Sequence, residues 1–206
     1  MKKITQLMVV LTFCFMANAQ DETTYKSQIN FGIKGGMNFS LIVGDDTDNF
    51  DGKIGFHLGG VLEFPISEKF SLQPELLYSL QGDKSTFDGM EIKFKLDYLN
   101  LPMMAKYYVT EGFSLEAGPQ VGFLMSAEAE GGGISLDIKD IIKDVDFGLN
   151  FGVGYELANG LNFSGRYYVG ISNIVENSGS ILGEPVDADQ IKNQNNVFQL
   201  SIGYFF

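Results

Sequence analysis

Residues 195–206 read NNVFQLSIGYFF, and this stretch decides the fold. Side chains of an extended strand alternate between two faces. Phe198, Leu200, Ile202, Tyr204 and Phe206 therefore share one face, while Gln199, Ser201, Gly203 and Phe205 share the other. A chain of formal net charge -12 has no reason to leave five large apolar residues in water. They must meet a protein core or lipid.

The same period of two recurs upstream. In 161–172, Leu161, Phe163, Tyr167, Val169 and Ile171 oppose Asn162, Ser164, Arg166, Tyr168, Gly170 and Ser172. In 145–157, Phe147, Leu149, Phe151, Val153, Tyr155 and Leu157 oppose Asp146, Gly148, Asn150, Gly152, Gly154 and Glu156. Such segments lie near 28–39, 53–64, 70–81, 92–109, 113–126, 145–157, 161–172 and 196–206. Their connections alternate: 65–69, 110–112 and 158–160 are short, whereas 40–52, 82–91, 127–144 and 173–195 are long and polar. A tilted membrane-spanning strand needs about 9–11 residues. An even set of antiparallel strands, tight turns at one end and long loops at the other, predicts an all-β, eight-stranded antiparallel outer-membrane barrel.

A soluble, lipocalin-like barrel is the rival, with its apolar face turned inward around a ligand. The polar face decides against it. That face carries Gly32, Gly36, Gly55, Gly59, Gly118, Gly122, Gly148, Gly152 and Gly154. It makes a poor water-facing surface and a good filling for the narrow lumen of eight strands. Phe31, Phe64, Phe70, Tyr107, Phe113, Tyr155, Phe163, Tyr204 and Phe206 gather on the apolar face near the short turns, as an interfacial aromatic belt does. The last strand must pair with the first, because lipid cannot satisfy open backbone groups. Tyr204 and Phe206 then also read as the terminal signal for the barrel assembly machinery.

Residues 1–19 read as a signal peptide: Lys2 and Lys3, an apolar run from Ile4 to Phe15, then Ala17-Asn18-Ala19. Cleavage there starts the barrel domain, 20–206, at Gln20. Removing two lysines takes the charge from -12 to -14. The only cysteine, Cys14, leaves with the signal, so no disulfide or thiol chemistry is expected. An acidic exported chain has little to offer nucleic acid. No later stretch is a helical span.

One segment breaks phase. Ile92, Phe94 and Leu96 are apolar at even positions, but Leu99, Leu101, Met103, Ala105, Tyr107 and Val109 at odd ones. A bulge near Asp97–Tyr98 is expected to restore the outward facing of the apolar set. Pro102 then falls on the lumen side, at the cost of a ladder hydrogen bond.

GIKGGMNFS (32–40), LQPELLYSLQG (72–82), YLNLPMMAKYY (98–108) and FQLSIGYFF (198–206) resemble the PorT-type "porin family" of outer-membrane barrels common in Bacteroidetes-type Gram-negative bacteria. The resemblance covers nearly all of the chain beyond the signal. It implies the fold and the location and no catalytic motif.

Alternation turns Lys34, Lys106 and Arg166 inward against Glu63, Glu75, Glu116 and Glu156, with His57 and Gln120 nearby. Charges in a narrow lumen must pair, so these residues are expected to form an ion-pair network that plugs the barrel, with a gate or narrow ion path as the rival reading. Arg166 is the expected hub. His57, the only histidine, is expected to hydrogen-bond a carboxylate. A lipid-modifying hydrolase would need a Ser–His pair near lipid, and no GxSxG-like turn supplies one. GDDTDNFDGK (44–53) lacks calcium-loop spacing, because Phe50 stands where an oxygen ligand belongs. In 128–146, Ile134, Ile138, Ile141 and Ile142 suit one stripe of a short helix or an extension of the hairpin. The resulting expectation is a monomeric, non-enzymatic surface barrel without cofactor or metal, embedded in outer-membrane lipid. Its loops meet an extracellular ligand or protein, with a pore for ions or very small solutes as the alternative.

Overall fold

The computed structural model describes residues 28–44, 51–87, 90–175, 180–181, 184–185 and 192–206. Residues 1–19, where a signal peptide and its cleavage site are expected, most of the acidic loop 44–53 and much of 173–195 lie outside them.

The described elements are β1 (Asn30–Gly44), β2 (Lys53–Pro65), β3 (Phe70–Phe87), β4 (Met90–Tyr108), β5 (Phe113–Gly131), β6 (Ile134–Asp137), a 3-10 turn (Lys139–Ile141), β7 (Val145–Glu156), β8 (Leu161–Gly170), β9 (Ser180–Ile181), β10 (Glu184–Pro185) and β11 (Asn193–Phe205). All pairings are antiparallel. Sequential neighbours pair from β1 to β5, β5 skips to β7, and β7, β8 and β11 continue the ring. It closes where β11 meets β1, from Gly32↔Phe205 to Gly44↔Asn193. Eight long strands thus form a barrel with no free edge, which lipid requires of any sheet that crosses it.

The outer wall is apolar. Leu58 is 67% exposed, Phe56 59% and Phe206 64%, values that a water-soluble fold would not tolerate in such number. Phe31, Phe70, Tyr107, Tyr155, Phe163, Tyr204 and Phe206 are exposed near the short-turn end. Phe31 stacks on Phe206 with centroids 5.2 Å apart, and Tyr204 meets Phe206 edge-on at 5.3 Å. The carboxy-terminal aromatics therefore sit across the β1–β11 seam.

The inner wall is polar and tight. Gly36 allows one close approach there. A Cβ on Gly36 would lie 2.0 Å from the Leu200 carbonyl oxygen and 2.8 Å from Cε1 of His57.

Strands β3, β4 and β5 have 18, 19 and 19 residues, well beyond what a span needs. Their surplus continues past the apolar band at the long-loop end. There β6 adds a further strand to β5, from Glu128↔Asp137 to Gly131↔Ile134. Residues 134–137 thus extend the hairpin, and a single 3-10 turn stands where a short helix was the other expectation.

The phase break resolves differently from the sequence expectation. The register does shift between Asp97 and Tyr98, but the extra residue is Met125 of β5, because Asp97 faces Ser126 and Tyr98 faces Leu124. Strand β4 keeps its even positions inward throughout: Leu96, Tyr98, Asn100, Pro102, Met104 and Lys106 are all buried. Leu96 and Tyr98 are each 1% exposed. The bulge instead re-aims β5, whose buried residues change from even (Leu124) to odd (Ala127). The change of hydrophobic phase marks where β4 leaves lipid. Below Asp97 apolar side chains point out; above it Lys93 and Lys95 point out and Leu96 points in. Pro102 is buried on the lumen wall as expected. The β3–β4 ladder is interrupted beside it, between Pro74↔Met103 and Leu77↔Asn100, without a change of register.

Candidate functional site

The lumen is the site. Its filling divides into three tiers from the short-turn end upward.

The lowest holds Lys106, Glu63, Glu156 and Tyr108. The Lys106 ammonium lies 3.0 Å from Glu63 Oε2 and 3.8 Å from Glu156 Oε2. The Tyr108 hydroxyl donates to Glu63 at 2.6 Å and, more weakly, to Glu156 at 3.4 Å. Lys106 also lies over the rings of Tyr108 and Phe205, 5.1 and 5.6 Å from their centroids. Below them, a cavity of about 700 Å³ opens at the short-turn end and reaches Glu63, Tyr108 and Glu156.

The middle tier is drier. Arg166 donates through its two terminal nitrogens to both oxygens of Glu75, each at 2.7 Å, and through Nε to Glu116 at 2.8 Å. Lys34 reaches Glu75 at 3.2 Å, and Gln73 donates to the same carboxylate. Arg166 is 2% exposed, Lys34 3%, Glu75 4% and Glu116 5%. The planar guanidinium fork can satisfy two carboxylates at once, which the point charge of a lysine cannot do. Two cations meet two anions here, so the cluster is internally neutral. Gly152 faces Arg166 across β7 and β8; a Cβ there would lie 2.7 Å from Arg166 Cγ. The void between the lower and middle tiers is about 10 Å³, close to a single water.

His57 belongs to a neighbouring uncharged group. The sequence expectation gave it a carboxylate partner; the structure gives it none. Nδ1 lies 2.8 Å from Asn38 Oδ1 and Nε2 2.9 Å from Ser201 Oγ. The carboxylate within electrostatic reach, Glu75, is already held by Arg166 and Lys34. An amide oxygen only accepts, so Nδ1 carries the proton and Nε2 accepts from Ser201. Ser–His–Asn is an order used for nucleophilic catalysis. Here the histidine is 3% exposed, and none of the cavities described in this section is lined by His57 or Ser201. Asn38 also donates to Ser79 and to the Phe56 and Leu80 carbonyls, and accepts from Gln199. The trio is part of a lumen hydrogen-bond lattice. Gln120, expected near the inward-facing charges, is buried in the lumen and accepts from Asn150 at 3.1 Å.

The upper tier went unrecognised in the sequence. Ile42, Leu96, Tyr98, Leu124, Ala127 and Ile174 form a buried apolar cluster across the barrel mouth, with Ile138, Ile142 and Val175 packed against it. The signal for it was present: two of the four isoleucines in 134–142 and the out-of-phase Leu96 all contribute. Beneath it Asp146 accepts from the Tyr168 hydroxyl at 2.9 Å and the Ser172 hydroxyl at 2.6 Å. Among the described residues no group of three or more His, Cys, Asp or Glu is arranged to hold a metal ion.

Comparisons agree with this geometry. The outer membrane protein beta-barrel domain family matches residues 18–176. No curated protein sequence matches the chain. Among solved structures, Neisserial surface protein A superposes with TM-score 0.59 at 11% identity, over 85% of this chain and 97% of that one. The attachment invasion locus protein Ail of Yersinia pestis, solved in complex with the heparin analogue sucrose octasulfate, superposes with TM-score 0.51 at 15% identity, over 87% and 99%. At these identities the likeness is one of fold. With a closed wall that turns its apolar face to lipid and a family match spanning most of its length, the chain belongs to the outer membrane protein beta-barrel domain family and is a transmembrane barrel of the outer membrane.

Proposed function

We propose that this chain is a PorT-type, non-enzymatic surface barrel that acts through its long-loop end, with a lumen that stays shut. The observation that carries the reading is double closure. A neutral ion-pair cluster around Arg166 and an apolar cluster around Leu96 block the same narrow lumen in series. Opening one leaves the other in place. The cavity at the short-turn end is then a blind vestibule.

In this reading residues 1–19 are cleaved, both ends of the barrel chain face the periplasm, and the β3–β6 extension stands outside the cell. Tyr204 and Phe206 serve recognition by the assembly machinery. The protein works as a monomer, and its partner is an extracellular ligand or protein met by the loops. The lumen residues Lys34, His57, Glu63, Glu75, Lys106, Glu116, Glu156 and Arg166 act as a plug and carry out no chemistry.

Two measurements test this. A photo-crosslinker at Ser135, at the tip of the extension, should trap a discrete partner on intact cells; a crosslinker at Ser67, in a short turn, should not. Purified protein in a planar bilayer should show no steady channel events. Regular openings by the wild-type protein would favour the pore reading instead.

A further inference from the structure

We propose that the lysines gathered where β3 and β4 leave the apolar band bind the phosphate groups of outer-leaflet glycolipid. The leaflet rests on the orientation proposed above; the phosphate chemistry rests on the wall itself.

Lys84 and Lys93 stand directly opposite each other in the β3–β4 register. Both point away from the lumen, because the flanking Asp83 and Ser85 are buried at 0% exposure and β4 turns its even residues inward. Like charges at directly opposed positions destabilise a sheet. One row lower, Lys95 faces Gly82, which puts no side chain beside it. Lys53 reaches in from β2. Its ammonium donates to the Gln81 carbonyl at 2.8 Å and lies within electrostatic reach of Lys95, Asp97 and Glu130.

Among the described residues four carboxylates share this face, and each already has a partner. Glu91 pairs with Lys93 at 3.0 Å and Glu130 with Lys95. Asp97 accepts the Tyr78 hydroxyl at 2.9 Å, and Glu128 accepts from Ser135 at 3.3 Å. Asp51 touches Lys84 only through the backbone, its N–H donating to the Lys84 carbonyl. Among the described residues, no carboxylate oxygen lies within 4.0 Å of the Lys53 or Lys84 ammonium. Among the described residues these two cations therefore have no carboxylate in direct contact; Glu91 lies within electrostatic reach of Lys84, and Asp97 and Glu130 within reach of Lys53, each already paired elsewhere.

Height selects the anion. Immediately below this face the outward residues are Leu80, Tyr78, Leu99 and Leu101, which belong in hydrocarbon. Lysine stems can lie along apolar surface while their ammoniums stay at the polar boundary. Lipid phosphates sit at that level, and ammonium–phosphate pairs are strong charge-assisted contacts. A soluble anion would gain nothing from the apolar wall just beneath.

The test titrates folded wild-type protein in zwitterionic micelles with lipid A, with dephosphorylated lipid A and with inorganic phosphate, read by calorimetry. Lipid A should bind, its dephosphorylated form about tenfold more weakly, and inorganic phosphate without measurable heat. K53Q/K84Q should lose about tenfold for lipid A and bind the dephosphorylated form as wild type does. The heat-modifiable gel shift checks that the variant is folded. Equal binding of both lipids to the wild type, or phosphate binding as strongly as lipid A, overturns the proposal without recourse to the variant. Orientation is read separately, by labelling a single cysteine at Gly133 on intact cells with an impermeant maleimide. Failure to label overturns the outer-leaflet assignment whatever the titration gives.

Discussion

One strand, β4, passes through two regions of opposite construction. From Tyr107 up to Leu99 its outward residues are apolar and its inward residues include Lys106, Asn100 and the buried Pro102. From Asp97 up to Glu91 the outward residues are charged, while Leu96 is buried in an apolar cluster. The lower region is built for lipid outside and polar filling inside; the upper one is built as a water-soluble barrel end. Hydrophobic facing follows the solvent on each side of the wall, not the strand. The same lumen is consequently shut by charge pairing at one level and by apolar packing at another.

The two closures should fail in different ways. Arg166→Ala gives the largest effect. It strips Glu116 of its direct cation and leaves Glu75 with one cation, Lys34, besides the Gln73 amide, in a tier that is almost fully buried. Loss of a buried partner costs about 3–5 kcal/mol, and water entering from the vestibule brings the expected value to about 3 kcal/mol. Urea unfolding in detergent reads it directly. A wild-type midpoint would remove Arg166 from the closure.

Leu96→Ala comes next, at about 2–3 kcal/mol for a buried leucine whose surroundings relax only in part. The same urea series measures it. If Leu96 faced lipid, as the sequence pattern suggested, the loss would be small. Tyr98→Phe sharpens the contrast with a change of opposite sign. The Tyr98 hydroxyl is buried, and among the described residues it has no hydrogen-bond partner. Removing it should stabilise by about 0.5–1 kcal/mol, since an unsatisfied buried polar group is costly. A loss of stability would show that the hydroxyl has a partner after all.

The smallest effect belongs to the exposed outer face. Hydrogen bonding to Lys95 holds the Glu130 carboxyl below the ordinary carboxylate range. A depressed folded value means that the pair contributes above the unfolded value of 4.5, and that the contribution fades as pH falls through the folded value. NMR titration of Glu130 should give a midpoint below 4.5, moving up toward it in Lys95→Gln. An unchanged midpoint would show that the two side chains do not pair in solution.

Much of this was legible in sequence, for a physical reason. Inside the membrane the rule is strict, so alternation alone placed Phe198 to Phe206 against lipid and turned Arg166, Glu75 and Glu116 inward. Which carboxylate met which cation was not legible, because alternation fixes a facing and says nothing of height around the ring. Facing alone does not name a partner for His57 either; Asn38 and Ser201 reach it only through pairings of β1 with β2 and β11. The apolar cluster is not legible, because the membrane rule turns Ile92, Phe94 and Leu96 outward and that rule no longer holds above the membrane. The pattern along β4 marks the level of the register shift at Asp97–Tyr98 but carries no sign that the extra residue lies on β5.

The inversion at Asp97 is the claim on which the apolar closure and the lysine face depend, and single-cysteine labels along β4 test it most directly. The only native cysteine is Cys14, so each label reports one site. Environment-sensitive labels at Lys93, Lys95, Leu99 and Leu101 would be read in bilayers against a water-soluble and a lipid-soluble quencher. The account predicts that 99 and 101 respond to the lipid quencher alone and 93 and 95 to the aqueous quencher alone. Labels at 93 and 95 shielded from both quenchers would put those residues inside the barrel, restore a bulge within β4, and contradict it.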